Sequence, residues 1–200
     1  MELKIKNVPL ICIAGVLVIG FYCIFTLISI ALYPKPWTVE TRYLSDFGSI
    51  KNSPNGWVFY VLACILTGMA LFHFYIGLSA WELENRSRRI LLKMTQLLGC
   101  CSAFALIMIG VYSDDFTYEH LLWGDIFFTL NTLLLIITGI SLYNHPKFKK
   151  GVAFYGFGVA VLNLLFLLYA TRSSLIEWYA IFTALGDVAL IVYNTYNANK

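Results

Sequence analysis

Six stretches of about 20 mainly apolar residues fill most of this 200-residue chain. At 1.5 Å of helical rise per residue, each is long enough to cross the hydrocarbon core of a bilayer. They run over 8–33, 56–81, 90–112, 121–142, 151–170 and 175–196. In hydrocarbon every backbone N–H and C=O must pair within its own segment or within a closed barrel. Runs of this length without alternating polarity suit helices, so the chain is read as an all-α polytopic bundle of six transmembrane helices. Composition agrees: 60% hydrophobic residues, 12% charged residues and a mean hydropathy of +0.75 exceed what a water-soluble domain can hide. No Ser-, Pro- or Gly-rich linker divides the chain, and a single domain over 1–200 is expected.

Lys4 and Lys6 ahead of an apolar run imitate a secretory signal, but the run over 8–33 is too long for one, and an uncleaved first helix is expected. The basic residues sort by face. Ten of the 14 Lys and Arg fall in the N-terminal segment, the second loop, the fourth loop and the C-terminal tail; the other face carries Lys35, Arg42, Lys51 and Arg172. By the positive-inside rule both termini face the cytoplasm. The net charge of +3 therefore reflects topology, and membrane lipids rather than nucleic acid are the expected partners. The cell membrane is the expected location, although the charge map suits an internal membrane equally. The five cysteines lie inside apolar stretches without metal-ligand spacing, so neither a metal site nor a cofactor is expected.

The outer face gathers Glu40, Asp46, Asp114, Asp115, Glu119 and Glu177, and its first loop, 34–55, is long. Loops of that length in compact proteins tend to carry function. Within the spans, ionisable groups cost about 2.5–3.5 kcal/mol each at a helix centre, which predicts that they face inward toward a partner or a wet cavity. His73, His120, Asp125 and Asp187 are the residues concerned, with His73 expected to line the inner half of the bundle. His73 and His120 differ in expected depth by roughly 20 Å and so cannot share a metal. His120, Asp125 and the acids Asp46, Asp114 and Asp115 can converge at one level, with Arg172 as a possible donor to Asp125. Asn131 and Asn163 are candidates for interhelical hydrogen bonds, with Asp187 as a possible acceptor for either. Thr95, Gly99, Ser102, Ala103 and Gly110 form a small-residue contact stripe on the third helix.

The segment Tyr43-Leu44-Ser45-Asp46-Phe47-Gly48, with Asn52-Ser53-Pro54 before the second span, resembles the DUF998 family of six-span membrane proteins. So does Gly110-Val111-Tyr112, followed by a short acidic loop and His120-x-x-x-Gly124-x-x-Phe127-Phe128. The resemblance extends more distantly to the Frag1/DRAM/Sfk1 group. It implies the six-span topology and, through that group, lipid handling; Ser45, Asp46, Gly48 and His120 occupy the matching positions. Gly124 stands where Ala is expected, with Asp125 beside it.

Three functional readings follow. The first is lipid binding or remodelling through a polar pocket open to the non-cytoplasmic side, drawing on Ser45, Asp46, Gly48, His120, Asp125, Asn131, Asn163 and Asp187. The second is an intramembrane hydrolase or transferase with His120 as base, Ser45 or a water as nucleophile, and Asp46 or Asp125 orienting the imidazole. No GxSxG or HExxH element supports it. The third is a small proton-coupled transporter using Asp125 and Asp187, against which the absence of internal repeats weighs.

Overall fold

The computed structural model describes residues 8–168 and 173–200. These form six α-helices and, among the described residues, no strand: α1 (Leu10–Ala31), α2 (Trp57–Gly77), α3 (Arg86–Val111), α4 (Thr117–Leu142), α5 (Lys150–Leu168) and α6 (Ser174–Ala198). Each is long and apolar enough to cross a membrane. The helices overrun the expected spans where polar first turns dilute the hydropathy. α3 starts at Arg86 rather than 90 because Asn85 caps it, its Oδ1 accepting the Ser87 and Arg88 N–H groups at 3.0 and 3.2 Å. α6 starts behind a similar cap, with Ser173 Oγ accepting from Ile176 N–H at 3.4 Å.

Successive helices pack side by side, and α6 returns to α1 to close a ring. Small residues bring the first three together. A side chain at Gly68 of α2 would come within 2.8 Å of the Ala103 carbonyl of α3, and Gly99 lies against the ring of Tyr75. At the other end of the same seam Gly110 approaches the Val61 carbonyl. The small-residue stripe of α3 is thus the α2 contact that its spacing predicts. On α5, Gly156 faces the Leu135 carbonyl of α4, and Asn163 Nδ2 donates to Thr132 Oγ1 at 3.3 Å. α5 and α6 are the loosest neighbours, and α4 barely touches α6.

Both ends of the ring are closed. At the acidic end the segment 34–55 folds onto the helices through a 3-10 turn, Ser45–Gly48, which buries Leu44 and Phe47 completely. Phe47 meets Tyr33 and Trp37 edge-on at 4.9 and 5.4 Å, and Ser29 Oγ donates to its carbonyl at 2.9 Å. Removing such a side chain from water is worth about 1.5–3 kcal/mol. At the basic end Leu78 and Leu142 are fully buried, and Trp81 donates from Nε1 to Thr195 Oγ1 at 3.1 Å. Asn194 clamps the α4–α5 connection there, accepting from Lys149 N–H at 2.8 Å and donating to the Lys147 carbonyl.

His73 departs from expectation. It is exposed on the outside of α2, with Nδ1 donating to the Met69 carbonyl one turn earlier at 2.9 Å. Its own helix supplies the partner that an inward orientation was invoked to provide.

Replacing Gly68 with Val is expected to force α2 from α3 and cost about 1–3 kcal/mol. Gly20→Ala, where an added methyl meets nothing within 4 Å, leaves stability unchanged or slightly raised. Thermal unfolding of both variants in nanodiscs checks the pair.

Candidate functional site

The acidic end is organised by a carboxylate in the first turn of α6. Glu177 Oε2 accepts the Leu44 N–H at 2.8 Å and receives further hydrogen bonds from the Ser45 N–H and hydroxyl. The exposed donors at the start of the 3-10 turn thereby meet a negative charge, the arrangement favoured at helix N-termini. Trp178 beside it donates from Nε1 to the Arg42 carbonyl at 3.0 Å and stacks on Trp37 at 5.8 Å. One turn of α6 therefore holds the 34–55 segment at two points.

A second tie comes from the α3–α4 connection. Asp115 accepts from the Ser49 hydroxyl at 2.9 Å and the Ile50 N–H at 2.6 Å. Burial pushes its carboxyl up, but hydrogen bonds from Ile50, Ser49 and Lys51 outweigh that and hold it below the usual carboxylate range. Its neighbour Asp114 behaves oppositely. Burial raises it, His120 opposes the rise, and the negative neighbours Asp46 and Asp115 add to it. Asp46 reaches back to accept from Tyr43 N–H at 3.0 Å, with Arg42 3.9 Å away. Asp46, Asp115 and His120 are thus all near enough to Asp114 to act on its carboxyl. His120 is buried and donates from Nδ1 to the Tyr112 carbonyl at 2.7 Å, which fixes its tautomer and ties α4 to the end of α3.

Below the capped end lies a narrow crevice along the bundle axis, in two parts that meet at Tyr75, Asn131, Ala184 and Val188. The deeper part, about 20 Å³, adds Asp187, Thr138 and Leu78. The part nearer the acidic end, about 40 Å³, adds Tyr22, Thr67, Ser102 and Phe127. About 10–15 Å³ holds one water centre, so together they accommodate a few waters. Asp187 stands in the middle of α6, half-buried beside Gly156, and makes no hydrogen bond or ion pair among the described residues. The Thr67 hydroxyl, on a side chain only 2% exposed, also has no hydrogen-bond partner among the described residues, and the equally buried Tyr22 hydroxyl pairs with that of Tyr60.

The structure divides the sequence-predicted residues. Ser45, Asp46 and Gly48 form the capping turn, and His120, like Asp46, is near enough to Asp114 to act on it; Asn131 and Asp187 share the crevice. Asn163 lies apart on α5, bonded to Thr132, and does not serve Asp187 as donor. Asp125 is exposed on the outer surface of α4 and does not enter a common pocket with His120. A carboxylate near a helix start can reach toward the interface, which removes the need to face inward. The suggested donor Arg172 lies outside the described residues. At the level where the pocket is expected to open outward, Leu44 and Phe47 are packed and fully buried. The Ser45 hydroxyl is engaged with Glu177, and His120 donates from Nδ1 to the Tyr112 carbonyl, which leaves Nε2 as its acceptor; no hydrogen bond joins Ser45 to His120 among the described residues. Among the described residues no three His, Cys, Asp or Glu side chains cluster as metal ligands.

Glu177 was legible only as an outer-face acid. Its stronger signal is the spacing Glu177, Ile181, Ala184, Val188, Ile191, which places it on the buried stripe of α6. The hydroxyls of Tyr22 and Thr67 give no such signal, because each stands singly in an apolar run.

Asp115 has its carboxyl lowered on folding, so it contributes stability above the unfolded value of about 3.9 and loses it as pH falls through the lower folded value. Asp114, raised, is relieved on the way down. Quenching of tryptophan emission by an aqueous quencher is therefore expected to stay constant down to about pH 4 and then increase as the 34–55 segment loosens. Asp115→Asn is expected to show increased quenching at neutral pH.

A family model described as "Protein of unknown function (DUF998)" matches residues 13–193. No curated protein and no solved structure matches. With the match extending from α1 into the last turns of α6, this chain belongs to the DUF998 family.

Proposed function

We propose that the chain binds a membrane lipid by its polar end, with Asp187 and Asn131 receiving hydrogen-bond donors inside the bundle. The observation that carries this reading is the unpaired carboxylate of Asp187 at mid-span, facing a crevice whose two ends are closed. An ionisable group at that depth is costly unless it has work to do. Leu44 and Phe47 cover the crevice at one end and Leu78 and Leu142 at the other, so a guest larger than water comes from the side. The seams beside α6 are the loosest in the ring, and beyond them lies the bilayer.

The chemistry of the site narrows the guest. A carboxylate and an amide side by side favour a head that donates hydrogen bonds and repel one that carries negative charge. Lipids with a hydroxyl or amine end and no phosphate meet that requirement: diacylglycerols, long-chain alcohols and long-chain amines. The present cavities are of a size for water alone, so a head group requires α6 to move outward from α5. Remodelling chemistry is not part of this reading, since no hydrogen bond joins Ser45 to His120 among the described residues.

Native mass spectrometry of the protein from phosphatidylcholine nanodiscs doped with dioleoylglycerol, oleylamine or dioleoyl phosphatidic acid tests the proposal. Retention of the first two over the third is expected, with a loss of about tenfold or more in Asp187→Asn and Asn131→Leu. Equal retention of all three lipids, unaltered by either substitution, would refute it.

A further inference from the structure

The two acids of α6 stand ten residues apart, which is about 15 Å along the helix axis. What lies between them is more polar than a membrane core requires. Tyr22 on α1 and Tyr60 on α2 face one another and both sense the Glu177 carboxylate. Tyr22 and Thr67 then line the upper cavity, which joins the lower one at Tyr75 and Asn131 and so reaches Asp187. The Tyr22 and Tyr60 hydroxyls pair with each other, and the Thr26 and Thr67 hydroxyls are buried without a hydrogen-bond partner among the described residues. Each such group costs about 1–3 kcal/mol if nothing satisfies it, and a cavity of about 40 Å³, apolar over most of its lining but edged by Thr67 and Tyr22, has room for about three waters.

We infer that this chain carries a proton path from Glu177, beneath the Ser45–Gly48 turn, to Asp187 at mid-span, along the hydroxyls of Tyr60, Tyr22 and Thr67 and water held by Asn131. The lengths agree. Hydrogen-bonded oxygens are about 2.8 Å apart, so 15 Å needs at least about four intermediates. Three hydroxyls and about three waters supply them. A proton from the acidic-end solution binds a Glu177 oxygen. Each hydroxyl or water along the file accepts one proton and passes on another, and the last is delivered to an Asp187 oxygen. Only O–H bonds form and break, and net charge moves by one.

The surroundings suit such a path. Asp46 and Ser45 stand at its mouth, and Asp46 is near enough to Glu177 to raise the local proton concentration. Facing Glu177 inside the bundle are Tyr22 from α1 and Tyr60 and Cys64 from α2. Facing Asp187 are Tyr75 from α2 and Tyr155 from α5. Among the described residues neither acid makes an ion pair with Lys or Arg, which would lock it in its charged form. At the basic end Leu78 lines the crevice and Leu142 is fully buried beyond it, and among the described residues no buried hydroxyl without a partner lies past Asp187.

The path is independent of the lipid reading and is tested without added ligand. The full chain is reconstituted in phosphatidylcholine vesicles of determined orientation, and the infrared carbonyl band removed by Asp187→Asn is followed after a pH step on one side. The expected result is a response to a step on the side of the 34–55 segment, about tenfold slower in Thr67→Val, Tyr22→Phe and Glu177→Gln. Thr67→Val and Tyr22→Phe keep their shapes, so their folding is preserved, and Ser141→Ala, away from the crevice, serves as a packing control with an unchanged rate. A response driven from the opposite side, an unaltered rate in all three variants, or an Asp187 band indifferent to pH on both sides would each overturn the path.

Discussion

The hydrogen bonds from the Leu44 and Ser45 N–H groups to Glu177 set the character of the rest of the structure. A 3-10 turn of four residues cannot hold itself at a membrane surface, because its first N–H groups are unpaired and its enthalpy is small. A carboxylate from α6 meets those donors with charge-assisted bonds, each worth about 1.5–3 kcal/mol in mutational series. Leu44 and Phe47 are then pressed into the end of the ring, and the interior becomes a closed crevice instead of an outward-facing cup. The same residue that closes the end also leads into the line of buried hydroxyls. Closure and the polar interior are therefore consequences of one side chain.

α6 has an unusual place in this arrangement. α1, α2 and α3 are joined by glycine contacts in which backbone meets side chain or backbone, so they form a firm half. α6 has few such contacts with α4 or α5, and among its ties are the Tyr155 hydroxyl donating to the Thr183 carbonyl and the Asn194 clamp at the basic end. It nevertheless carries both buried acids. A helix that is held at its two ends and loosely packed at its middle is the element of this bundle best suited to move relative to the rest.

The sequence makes the six spans plain because hydrophobic length is a property of composition, and the α3 stripe plain because small residues recur at helical spacing. Side-chain direction is harder to read. The premise that ionisable groups in spans look inward holds for Asp187 and fails for His73 and Asp125. It neglects the carbonyl of the preceding turn, which satisfies His73 through Met69, and the short reach to the interface open to Asp125. The 34–55 segment reads as polar on average, and the average conceals that Leu44 and Phe47 bracket Ser45 and Asp46 so as to plug the bundle. His120 is identified by residue type, yet its role depends on the Tyr112 carbonyl eight residues away, which no side-chain pattern reveals. Tyr22 and Thr67 escape notice because hydropathy counts a lone hydroxyl among apolar neighbours as part of the membrane core.

The central claim is that the interior of this bundle communicates with the bilayer beside α6 and is sealed from solution at the 34–55 segment. Placing a single cysteine at Ala184, where the two parts of the crevice meet, in a chain with the five native cysteines replaced by alanine or serine, tests this most directly. The account predicts that a lipid-dissolved maleimide labels it in vesicles and that a membrane-impermeant maleimide labels it from neither side. Rapid labelling by the impermeant reagent from the side of the 34–55 segment, with that segment still seated on Glu177, would contradict it.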